Sequence, residues 1–153
     1  MKGLNIRVAT QDDIPILQTL EQGVIAAERP FENQFKPEPV TYYNLDELIK
    51  SDESVLIVAT LQGQIVASGY AKLKAAKPYL QHRFLSYIGF IYVAPTLRGK
   101  GVAEQVLQYL EEWSISQGVN ILHLDVFAQN EPAMRAYEKF GFVPHLIDMR
   151  KVI

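Results

Sequence analysis

Cysteine is absent from this chain of 153 residues. The absence excludes a disulfide framework, a cysteine-ligated zinc or iron–sulfur site and a cysteine nucleophile, and it fits a reducing compartment. A surplus of one charge is lacking too. Fifteen Lys and Arg stand against 17 Asp and Glu, a formal net charge of −2, so no general basic field exists to hold nucleic acid or an anionic membrane. Any anionic ligand has to be held locally. No apolar run approaches the ~18 residues of a membrane span. The opening Met1-Lys2-Gly3-Leu4-Asn5 reads as neither a signal nor a transit peptide, so a cytoplasmic protein is expected. His82, His123 and His145 show no ligand spacing, and no metal is expected. What the chain does have is 48% apolar residues. At ~150 residues per domain this is one domain, able to bury roughly two thirds of its unfolded surface. The sequence leaves room for a homodimer.

Leu4 to Val8 alternates like a half-buried strand, and Thr10 to Asp13 reads as a capped helix start. Ile14, Leu17, Leu20, Val24 and Ile25 then recur at helical spacing, with Pro15 tolerated in the first turn. From Arg29 to Tyr43 the pattern dissolves into a loop carrying Pro30, Pro37 and Pro39 among Phe31, Phe35, Tyr42 and Tyr43. A short helix is predicted around Leu45 to Lys50. Strands follow at Ser54 to Thr60 and Gln64 to Leu73, joined by a Gln62-Gly63 turn. Phe84 to Val93 is a further strand, in which Gly89 predicts a bulge or the close approach of another backbone or a ligand. A helix is predicted from Gly101 to Ser116, a strand from Asn120 to Phe127, and a helix from Asn130 to about Phe140 stopped by Gly141. Phe142 to Val152 has the length for one or two final strands.

The strand Phe84 to Val93, the helix after Gly101 and the strand Asn120 to Phe127 make a βαβ unit, which implies parallel strands. Its strand-to-helix turn, Val93-Ala94-Pro95-Thr96-Leu97-Arg98-Gly99-Lys100-Gly101-Val102-Ala103, has the chemistry of a pyrophosphate cradle. Two glycines permit close backbone approach, the helix start offers unpaired N–H groups, and Arg98 and Lys100 add full charges. A Walker A loop is excluded by Gly101 after Gly99-Lys100, and a dinucleotide fingerprint by Glu104 at its last position. Alternatively, the glycines only cap and pack the turn.

This turn resembles the central signature of the GNAT acyltransferase superfamily, Arg/Gln-x-x-Gly-x-Gly/Ala, at Arg98, Gly101 and Ala103. Asn130 to Phe142 resembles the second signature of the same superfamily, in the right order and at a fitting distance. The resemblance implies an α/β fold with a mixed, mainly antiparallel sheet of about six or seven strands, helices on both faces, and a CoA cleft between Phe84 to Val93 and Asn120 to Phe127. It implies acetyl-CoA as cosubstrate and an amine as acceptor. Backbone N–H groups of Arg98, Gly99, Lys100, Gly101, Val102 and Ala103 would hold the pyrophosphate. Ile91, Tyr92 and Val93 would receive the pantetheine arm and supply an oxyanion donor. Asn130 would contact CoA, cap a helix, or both. Tyr137 would protonate the departing thiolate, or simply pack.

A phenol of pKa ~10 remains protonated at pH 7 and can supply a proton to a thiolate of pKa ~8.5. The base is less plain. Many members of the superfamily carry a glutamate on the strand before the cradle, whereas no carboxylate lies between Phe84 and Glu104. Glu28, Glu32 and Glu38 near the aromatic loop are interchangeable candidates acting through water, each expected to be dispensable alone, and His82 is a weaker one. With no cysteine, an acyl-cysteine intermediate is excluded, and transfer within one ternary complex is expected. A non-catalytic CoA-binding module is the alternative, disfavoured by Tyr137 and favoured by the missing strand carboxylate.

Overall fold

Alternating and continuous apolar runs set the sheet in the computed structural model, which describes residues 1–37 and 39–153. The strands are β1 (Leu4–Val8), β2 (Ser54–Leu61), β3 (Gln64–Ala75), β4 (Phe84–Val93) and β5 (Leu122–His123). They lie in sequence order in one sheet. The first four are antiparallel, and β5 joins β4 in parallel. The helices are α1 (Ile14–Glu28), α2 (Leu45–Lys50), α3 (Val102–Ser116) and α4 (Glu131–Phe140).

β2 is buried on both faces, which explains its unbroken apolar run. Val55, Ile57 and Ala59 join Val106 and Leu110 of α3 in one core. Leu56 and Val58 face the other way, toward Leu17, Leu20 and Val24 of α1 and Leu45 and Leu48 of α2. The two helical layers therefore cover opposite faces of the sheet, as expected. Gly23 and Gly69 allow the close contacts: a Cβ on Gly23 would stand 2.7 Å from the Tyr92 ring, and one on Gly69 equally near Val106. The entry to α1 is fixed by Asp13, whose buried carboxylate accepts from the Thr10 backbone N–H at 2.8 Å and from the Arg7 guanidinium at 2.8 and 3.0 Å. Those bonds hold its pKa below the usual carboxylate range.

About six or seven strands are predicted; five form among the described residues. The run 120–127 pairs with β4 only at Leu122 and His123, and 142–152 forms no strand. A strand needs a template edge, and a two-residue β5 offers almost none. Beyond it Val143, Leu146, Ile147 and Met149 are all at least 80% exposed, without the packing that would hold a ladder in register.

Candidate active site

β4 carries a β-bulge close to where its pairing with β5 ends, which leaves an opening between the two strands. Ser68 pairs with Tyr92 and Tyr70 with Gly89, so Gly69 alone faces both Phe90 and Ile91. Phe90 consequently takes a positive φ of 53°, costly for an aromatic residue. The buried Ser68 hydroxyl supports it by donating to the Phe90 carbonyl at 2.9 Å. A bulge bends its strand. After Ser86 and Tyr87, β4 has no partner strand on the β5 side among the described residues, so that edge is left without a ladder from Ile88 up to the βαβ turn. Gly89 marks the bulge as expected, but what approaches it closely is a side chain: a Cβ there would stand 2.4 Å from Cζ of Tyr70.

Ile91, Tyr92 and Val93 end β4 beside this opening, and Ala94 still bonds back to Val66. The turn then runs through Gly99 (φ 73°) and Gly101 (φ 83°), and Val102 opens α3. A Cβ on either glycine would meet nothing within 4 Å. Packing therefore does not demand glycine at these positions; the left-handed backbone does, and it leaves open space in front of the helix start. The first N–H groups of α3 have no intrahelical acceptor and carry the positive end of the helix dipole. This arrangement suits an anion held by main chain. Arg98 does something the sequence does not reveal. Its Nε donates to the Val93 carbonyl at 3.0 Å and its guanidinium lies 5.7 Å from the Tyr92 ring centre, so the side chain ties the turn to the end of β4. Lys100 and Ala103 sit in the same turn, Lys100 exposed and Ala103 half-buried.

Asn130 is the N-cap of α4, its Oδ1 accepting from Ala133 N–H at 3.4 Å. Tyr137, two turns on, meets Phe142 edge to face at 6.0 Å and packs against the α3 side of the core. Burial first, and the charge of Glu28 second, push its phenol up to about 12. That influence relates the end of α1 to α4, elements far apart in the chain.

The aromatic loop is held to α1. The buried Glu21 carboxylate accepts from the backbone N–H groups of Tyr42 (3.0 Å) and Tyr43 (2.8 Å). Tyr43 stacks on Phe90 at 4.5 Å and meets Tyr42 and Tyr70 edge to face at 5.4 and 5.8 Å. Phe31 stacks on Phe127 at 6.2 Å, just past β5. The three glutamates expected to be interchangeable differ sharply. Glu28 accepts from the Tyr42 hydroxyl at 2.7 Å; Glu32 is clamped by Arg150 at 2.5 and 2.8 Å; Glu38 lies outside the described residues. Sequence reading missed Tyr70, Tyr87 and Asp125. Tyr87 donates to Asp125 at 2.8 Å across the mouth of the β4–β5 opening, and only the parallel register reveals that pairing. Among the described residues no group of three or more His, Asp or Glu side chains could hold a metal. Among the described residues no helix is long and apolar enough to cross a membrane.

A five-stranded mixed sheet covered by helices on both faces, with a glycine turn leading from β4 into α3, defines an α/β protein. The profile of the acetyltransferase (GNAT) family matches residues 22–142, and the chain belongs to that family. It is 28% identical over 139 residues to an acetyltransferase of Pectobacterium atrosepticum, covering 91% of this chain and 87% of that one. It is 35% identical over 65 residues to a streptothricin acetyltransferase of Escherichia coli, covering 42% and 37%. The fold is similar to that of a tetramutant of the BH1408 protein from Bacillus halodurans (TM-score 0.86, 23% identity, covering 97% and 99%). It is also similar to that of a predicted acetyltransferase from Clostridium acetobutylicum solved with acetyl-CoA (TM-score 0.76, 22% identity, covering 96% of each).

Proposed function

We propose that this protein is an acetyl-CoA-dependent N-acetyltransferase that passes the acetyl group directly to a primary amine within one ternary complex. The observation that carries the reading is the turn at residues 98–103. Its two glycines have left-handed backbones and open space where a Cβ would stand, and they lead into α3 beside the parted ends of β4 and β5. A pyrophosphate fits against main-chain N–H groups there, while the unpaired edge of β4 from Ile88 to Val93 accepts the pantetheine arm in the manner of an added strand. Backbone N–H groups within Ile91–Val93 are the candidates to stabilise the tetrahedral oxyanion. The acetyl-CoA in the Clostridium acetobutylicum protein of similar fold supports the ligand assignment.

Tyr137 is the proposed general acid. With its phenol near 12, it stays protonated across the working range and always has a proton for the departing sulfur. Donation to a thiolate of pKa ~8.5 runs uphill; the attacking nitrogen offsets this, because its remaining N–H becomes strongly acidic once the C–N bond forms. The rival reading is a CoA-binding module without acceptor chemistry. Thiol release from acetyl-CoA across a panel of amines and peptides separates the two. We expect at least one amine to stimulate release, and Tyr137→Phe to lower turnover by about 10²-fold or more with CoA affinity retained. Binding of CoA with no amine-stimulated release would favour the module, and a fully active Tyr137→Phe variant would reduce Tyr137 to packing.

A further inference from the structure

We propose that Glu28 is the catalytic base, a carboxylate at the junction of α1 and the aromatic loop that binds the acceptor as a primary ammonium and takes its proton. The inference rests on the acetyl-transfer reading and assigns the acceptor side of that site.

Position makes the first part of the case. Glu28 is the last residue of α1, half-buried where the helix meets the loop. The Tyr42 hydroxyl bonds to its Oε2 at 2.7 Å, and Oε1 has no partner among the described residues. One oxygen is fixed and the other is available. The Tyr42 phenol bonds to this carboxylate, whose charge also acts on the phenols of Tyr43 and Tyr137, while Arg29 and Glu32 act on Tyr42 as well. Phenols donate to a carboxylate or present aromatic faces, and both suit a cation placed among them. Burial raises the Glu28 carboxyl above the ordinary range while the Tyr42 hydrogen bond draws it part of the way back, which makes it a better proton acceptor than a solvated glutamate.

Comparison with the other described carboxylates around the site supports the same residue. β4 carries no carboxylate. Both oxygens of Glu32 are engaged by Arg150, and its carboxyl is held below the usual range by those bonds and by the Gln34 N–H. Asp125 is exposed and accepts from Tyr87 on the β5 side of the opening. Among these, Glu28 is half-buried, holds one oxygen on the Tyr42 hydroxyl, and has its charge felt at the Tyr137 phenol.

The proton balance closes. Glu28 takes one N–H proton from the ammonium, and the freed lone pair attacks the thioester carbonyl carbon. The C–N bond forms, the C–S bond breaks, and the sulfur receives the Tyr137 proton. The second nitrogen proton restores the phenol, and Glu28 returns its proton to water, leaving the amide, the thiol of CoA and one proton in solution.

The test is the pH dependence of kcat/KM for wild type, Glu28→Gln and Asp125→Asn. The reaction is thiol release from acetyl-CoA with 2-phenylethylamine, spermidine or a lysine-containing peptide, whichever is acetylated fastest. An acceptor bound as ammonium gives wild type a plateau between the Glu28 pKa and the amine pKa of ~10.4. Glu28→Gln must wait for free amine, so its rate should fall by about 10²-fold near neutrality and climb tenfold per pH unit toward the amine pKa. Equal CoA-induced thermal shifts in both proteins will show that the fold and the cradle are intact. A loss that is the same at every pH, a rate within about threefold of wild type, or the same pH change appearing in Asp125→Asn instead would each overturn the assignment. Wild type that binds acetyl-CoA and releases no thiol with any of the three amines would overturn the acetyl-transfer reading itself, and the base with it.

Discussion

Gly89 shows how far one residue reaches in this site. The missing side chain lets the Tyr70 ring lie over the backbone of β4, where a Cβ would stand 2.4 Å from Cζ. Tyr70 meets Tyr43 edge to face, and Tyr43 stacks on Phe90. Gly89→Ala should therefore tilt the whole aromatic wall. We expect it to cost about 1–3 kcal/mol of stability and to raise the KM for the amine while the affinity for CoA stays within about twofold. Denaturant unfolding and steady-state kinetics will measure both, and an unchanged amine KM would uncouple Tyr70 from the acceptor side. A glycine in a strand signals a close approach from sequence alone, but not by what. The neighbour is set by the β3–β4 register, and the bulge shifts that register by one residue. The candidate acid and the helix cap were easier to read: Tyr137 and Asn130 sit within one continuous motif, so local order places them.

At the scale of elements, the turn into α3 and the loop after α1 behave differently. The turn is short and dense in signals, and its position between β4 (Phe84–Val93) and α3 (Val102–Ser116) falls where the sequence predicts it. Gly101→Val should strain a backbone at φ 83°, for about 1–2 kcal/mol. It should also fill the space that the proposed pyrophosphate needs. The expected result is a folded protein whose melting temperature no longer rises with CoA; a rise equal to that of wild type would remove the cradle from the binding site. The loop at residues 29–43 is legible only as irregular and aromatic. Its order comes from Glu21, an α1 residue that looks like an ordinary exposed helix position in the sequence, yet is buried and bonded to two loop N–H groups. β5 is the reverse case. Its apolar run is long enough for a full strand, but pairing with β4 stops after two residues, short of the bulge in β4.

Over the whole molecule, the carboxyl-terminal run reaches the loop after α1 in the Arg150–Glu32 pair, 118 residues apart in the chain. Such exposed pairs contribute little to global stability; this one bears on the order of the loop. Arg150→Ala should leave the melting temperature nearly unchanged while speeding proteolysis within residues 29–43, and cleavage at the wild-type rate would show that Glu21 and the aromatic stack hold the loop unaided. The sequence by itself determined the helices, four of the five strands, the glycine turn and the family motifs. Each of these is written in local periodicity, capping residues or a contiguous run, whose physics acts over a few residues. Tertiary structure alone decided that β4 and β5 part, that Arg98 ties its turn back to Val93, and that residues 142–152 form no strand. It also separated Glu28 and Glu32, which look alike in the chain, giving Glu32 to Arg150 and Glu28 to Tyr42. A carboxylate's role depends on its burial and its partners, and here those partners come from a loop and the far end of the chain.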